Sequence, residues 1–171
     1  AEILCFGCHV FARKRGASTW LIDPQDYLIA ASGGDIMGAQ LSAALNNTNV
    51  TIESSSGSTH GSGDVIVRDG ISWSANNLTL TAARDVRIEA LLQATGTSSL
   101  TLHVGTAKGA DGAVSNASVR VGSSTDGTFS GRVDFGGRAG TGLLEINGQA
   151  YTVINALGAE GSVTGTDLQG M

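Results

Sequence analysis

The feature that most limits how this chain can fold is a series of eight short beads, each an apolar residue, a middle residue and a second apolar residue. They are Val-Thr-Ile at 50, Val-Ile-Val at 65, Leu-Thr-Leu at 78, Val-Arg-Ile at 86, Leu-Thr-Leu at 100, Val-Arg-Val at 119, Val-Asp-Phe at 133 and Leu-Glu-Ile at 144. The middles are Thr51, Ile66, Thr79, Arg87, Thr101, Arg120, Asp134 and Glu145, all but Ile66 polar. Successive side chains of a strand point to opposite faces, so this period of two predicts strands with one buried and one wet face. Between the beads lie turn-forming clusters such as Ser-Gly-Gly-Asp at 32, Lys-Gly-Ala-Asp-Gly at 108 and Gly-Ser-Ser-Thr-Asp-Gly at 122. Helical periodicity is confined to 39–47, enough for a turn or two.

An all-β chain of this kind has two solutions, a closed β-sandwich or barrel and a parallel β-helix (solenoid) whose coils stack along one axis. Sandwich strands are longer and their cores richer in aromatics than the 5% found here. Beads this short, with 25 glycines in 171 residues and a single proline, favour the β-helix. The spacing between beads shows no clean period. Coils of about 20–30 residues predict five to eight of them.

Disorder is excluded, because 41% of residues are hydrophobic and recur in short runs. The formal net charge of −5 argues against a nucleic-acid partner, which needs a basic stripe; the only basic cluster is Arg13, Lys14 and Arg15. Nothing reads as a membrane span or a signal peptide.

Several blocks resemble the filamentous haemagglutinin-like exoproteins of Gram-negative bacteria. They are STWLIDPQDYLIAASGGDI (18–36), LSAALNNTNVTIES (41–54), ISWSANNLTLTAARDVRIEA (71–90) and the tail from Phe129 to Met171. The resemblance implies internal shaft sequence, wound as a right-handed parallel β-helix, of a large secreted adhesin with no catalytic residues. It also implies two-partner secretion through an outer-membrane protein. Its partners would be a receptor or glycan on a host or neighbouring cell, and open coil ends would allow self-association. Residues 18–171 form one unit on this reading. Residues 1–17 depart from the pattern, and either a foreign segment or a shifted reading frame accounts for them.

That departing segment contains Cys5-x-x-Cys8-His9, the spacing that attaches c-type haem. Haem would also need a distal ligand, for which His60, His103 and Met37 are candidates, and usually a helix-lined pocket. No second ligand pair follows for a metal. The expectation is therefore no cofactor and no metal.

An enzyme acting on acidic polysaccharide is the alternative class. Its outward candidates are Arg87, Arg120, Asp134 and Glu145, which are scattered and read as solvated strand positions; Arg87 and Arg120 are kept as possible surface contacts. Asp23 and Asp26, flanking Pro24, read as turn caps. Asp35, Asp64 and Asp85 each precede a strand-like run, without the repeat that calcium would need. Asn77 and Asn116 sit in glycosylation-type triplets, read as incidental. Trp20, Trp73 and Tyr151 read as plugs of a coil interior or caps of an open end.

Overall fold

The computed structural model describes residues 26–54, 62–106, 116–122 and 129–170. The expected all-β class holds, with one short helix. In chain order the elements are β1 (Tyr27–Ile29), α1 (Gly38–Leu45), β2 (Val50–Glu53), β3 (Val65–Val67), β4 (Ile71–Trp73), β5 (Asn77–Thr81) and β6 (Val86–Ile88). They continue with β7 (Leu91–Ala94), β8 (Ser99–His103), β9 (Val119–Val121), β10 (Arg132–Asp134), β11 (Gly140–Ile146) and β12 (Gln149–Val153).

These strands form three sheets, none of them closed. Sheet I has the order β1-β3-β6-β9, sheet II β4-β7-β10, and sheet III β2-β5-β8-β11-β12. From β3 to β11 the chain visits sheets I, II and III in rotation, so each strand lies beside the one three places later. Every pairing is parallel except β11 with β12. Sheet I contains four strands, so four passes are seen among the described residues.

Chain length between bonded residues of adjacent passes explains the missing period. Arg68 and Glu89 are 21 positions apart and Ser99 and Asn77 22, whereas Gly63 and Asp26 are 37 apart and Arg138 and Ala94 44. The variable length lies outside the strands. At the corner leading from sheet III to sheet I, the connecting stretches are 54–64, 82–85 and 104–118.

The alternation read from the sequence decides what is buried. Val50, Ile52, Val65, Val67, Leu78, Leu80, Val86, Ile88, Leu100 and Leu102 are buried, together with Tyr27, Ile29, Ile71, Trp73, Leu92 and Ala94 from strands outside the eight beads. They form one cluster between the sheets. Each fully buried branched side chain contributes about 1.5–3 kcal/mol relative to exposure, so these columns are the main source of stability. Thr51, Thr79, Arg87 and Thr101 are half-exposed, as their middle positions require, and Arg120 is exposed. Trp73 is an interior plug as expected, whereas Tyr151 is 45% exposed; Trp20 lies outside the described residues.

The tail departs from the parallel pattern. β11 and β12 form a hairpin whose two-residue loop is Asn147 and Gly148, with φ of 51° and 79°. Two consecutive positive φ values suit the right-handed twist of hairpin strands, and Asn-Gly is the pair that best tolerates them. Gly148→Ala places a Cβ in that left-handed region and is expected to cost about 1–2 kcal/mol, read as a lower midpoint in urea denaturation.

Candidate functional site

The densest set of charged side chains lies along sheet I and is built from the positions just before and just after its strands. Asp26 precedes β1, Asp64 precedes β3, Asp85 precedes β6 and Ser118 precedes β9. Each aspartate accepts backbone N–H groups from the following pass. Asp26 Oδ1 receives those of Ser62, Gly63 and Asp64 at 2.8–2.9 Å, Asp64 Oδ1 that of Asp85 at 3.2 Å, and Asp85 Oδ1 that of Ser118 at 2.7 Å. The ladder thus supplies acceptors for N–H groups at the corner where the chain enters the sheet.

Arginines neutralise this column. Arg84 forks onto Asp64, with Nε 2.7 Å from Oδ1 and Nη2 2.6 Å from Oδ2, and lies 3.7 Å from Asp85. Arg120 Nη2 is 3.4 Å from Asp85 Oδ2, and its Nε donates to Ser118 Oγ. Glu89 stands one residue beyond β6, and Arg68, one residue beyond β3, converges on it with Arg87 of β6 at 2.8 and 2.7 Å. Burial raises the pKa of Asp64, but the Arg84 hydrogen bond, the Asp85 N–H and the charges of Arg84 and Arg87 together hold it below the ordinary carboxylate value. Arg84 is correspondingly raised, chiefly by its bond to Asp64.

Arg87 and Arg120, the two surface-contact candidates, thus lie in neighbouring strands in register, and both are engaged with carboxylates. Asp134 and Glu145 lie on different sheets: Asp134 accepts from the N–H of Gly136, and Glu145 stands beside Thr101. No carboxylate pair or nucleophile–base pair emerges from these four.

Cys5, Cys8, His9, His60 and Asp23 lie outside the described residues. Of the remaining distal-ligand candidates, His103 is half-exposed on sheet III and Met37 is 42% exposed ahead of α1. Asp26 does act as a cap, for residues of the next pass rather than for its own turn. Among the described residues no group of three or more His, Cys, Asp or Glu is placed to hold a metal, and no helix is long and apolar enough to cross a membrane.

An open groove of about 510 Å³ runs beside β10, lined by residues that include Arg132, Phe135, Arg138 and Ile154. Arg138, which the sequence did not single out, donates to the carbonyls of Ala94, Gly96, Ser98 and Phe135. Its guanidinium therefore closes a turn of the preceding pass and has little capacity left for a ligand. Farther along, Asp167 accepts from Ser162, Thr164 and the N–H of Gly170, and these bonds, led by Ser162, hold its carboxyl below the usual range. No known family model, curated protein or solved structure matches this chain.

Proposed function

We propose that the chain is a segment of a right-handed parallel β-solenoid that serves as the structural and adhesive shaft of a secreted, filamentous haemagglutinin-like bacterial adhesin. The observation that supports this most is the rotation of the chain through three parallel sheets around one apolar cluster, with each strand beside the one three places later. A stack built this way carries its outward residues at regular intervals along a rod, which suits repeated weak contacts with a surface and gives avidity without a deep pocket.

The charged column of sheet I supports a mechanical role over a catalytic one. Its arginines are committed to carboxylates, and a bound acidic sugar would have to displace those bonds before any chemistry. The proposed partners are a receptor or glycan on a host or neighbouring cell, an outer-membrane protein during secretion, and further copies of the chain. All the exposed large apolar side chains among the described residues except Met37 lie after β8, namely Val121, Phe129, Tyr151, Ile154, Leu157, Val163 and Leu168. Such groups beside open sheet edges favour self-association.

The test is binding of the fluorescently labelled chain to epithelial cells and to a glycan array, run beside an assay for cleavage of acidic polysaccharides. Saturable binding without turnover is the expected result. Turnover lost on Arg87→Ala or Arg120→Ala would favour the enzyme class, and neither binding nor turnover would remove the adhesive reading.

A further inference from the structure

The two ends of the sheets differ in how their edge strands are finished. A bare edge strand presents unpaired N–H and C=O groups to whatever strand comes next. At β1 those groups are already taken. Residues 30–36 fold back along its free edge, so that Leu28 N–H donates to Asp35 Oδ2 at 2.7 Å, Asp35 N–H donates to Leu28 O at 2.8 Å, and Ala30 N–H donates to Ile36 O at 3.0 Å. Ile36 itself forms a parallel bridge with Ile29.

The same holds at β4, the first strand of sheet II. There α1 packs along the strand, and Ser42 Oγ accepts the N–H of Ser72 at 3.0 Å. The helix is anchored at both ends: Asp69 Oδ2 accepts from Gly38 N–H, and Asn76 Nδ2 donates to Leu45 O. Two glycines permit the approach. A Cβ on Gly34 would lie 2.7 Å from Leu28 O, and one on Gly38 would lie 2.2 Å from Gly70 O, both too close for any side chain.

At the opposite end β9 and β10 are the outermost strands of sheets I and II. Alternate amides of a parallel strand point to alternate neighbours, and Arg132 donates to Ala90 on the β7 side, so the amide of Val133 faces away from the sheet.

We propose that residues 30–45 are a built-in end cap. Among the described residues they close sheets I and II on the β1 and β4 side, so that these two sheets can take a further strand beside β9 and β10 but not beside their first strands. The inference rests on the stacked reading above and gives sheets I and II a direction: copies that join through these two sheets meet beside β9 and β10, while β2, the first strand of sheet III, pairs with β5 alone.

Sedimentation velocity across a concentration series, on the full chain and on Gly34→Val and Gly38→Val, tests this. The parent should not exceed a dimer, because the β9 and β10 edges can meet only once and the single short edge of β2 is too small to hold a further copy. The valine variants should give masses that rise beyond a dimer with concentration. A parent that forms longer chains overturns the cap, and so does a variant of unchanged circular dichroism that stays no larger than the parent. Should both variants misfold, hydrogen exchange on the parent decides. The amides of Leu28 and Ala30 should exchange at least about tenfold more slowly than that of Val133, and equal rates overturn the proposal. The stacked reading fails separately, if the amides of β3 and β6 exchange as fast as that of Val133.

Discussion

Replacing Trp73 by alanine is expected to lower the unfolding free energy by about 3–5 kcal/mol, the largest loss from any single side chain in this fold. Trp73 is 2% exposed and heads the largest fully buried side chains, and its partner in the ladder is the small Ala94. The bulk of that level of the core is therefore concentrated in one residue. Alanine would leave a cavity that neighbours held by the β7 ladder on one side and by α1 on the other cannot collapse to fill. The indole adds a second, opposing effect, because its Nε1 is buried without an acceptor. A buried donor without a partner costs about 1–3 kcal/mol, so Trp73→Phe should stay much closer to the parent than Trp73→Ala. Guanidinium denaturation followed by circular dichroism measures both. An alanine variant within about 1 kcal/mol of the parent would mean that the interior is far less tightly packed than these burials require.

The second large effect concerns Asp64. Its carboxylate takes the fork of Arg84 and the N–H of Asp85, and the side chain is only 4% exposed. Asp64→Ala strands the guanidinium and the amide together. Breaking a buried pair costs about 3–5 kcal/mol, and because Arg84 is 42% exposed and can turn to water, about 2–3 kcal/mol is expected here. The pH dependence has a definite sign. The folded pKa lies below that of the unfolded chain, so the unfolded state binds the proton more readily. The stabilisation is then fully present above the ordinary carboxylate range near pH 4, and is lost as pH falls through the depressed folded value. Urea midpoints measured from pH 7 to pH 2 should fall steeply for the parent. They should fall less for Asp64→Asn, which starts lower and has no proton to gain at this position. Parallel curves for the two proteins would remove Asp64 from the acid response.

Much of this architecture is legible in the sequence once its columns are aligned. Asp-Tyr-Leu-Ile at 26, Asp-Val-Ile-Val at 64, Asp-Val-Arg-Ile at 85 and Ser-Val-Arg-Val at 118 are the four sheet I strands with their capping residues. Reading only the triplets hides the ladder, because its repeating element is the polar residue ahead of each strand. Sheet III was the easiest to read, since Val-Thr-Ile, Leu-Thr-Leu and Leu-Thr-Leu alternate cleanly. Sheet II was the hardest. Ile-Ser-Trp and Leu-Leu-Gln-Ala carry no common signature, and in the first pass α1 stands where a sheet II strand would fall. The Asn147-Gly148 hairpin carried a strong local signal in its two residues, but an expectation of parallel strands throughout hid it. Arg138 left no trace, because a side chain bonding carbonyls 40 to 44 positions away has no local pattern.

The corner from sheet III to sheet I is crossed by four residues in one pass and by far longer stretches in two others, while the paired strands on either side keep their partners. Length there is thus uncoupled from register, since alignment is dictated by neighbouring strands and not by the span that joins them. Evolution can therefore change the length of those joining spans while the ladders of sheets I and III keep their alignment.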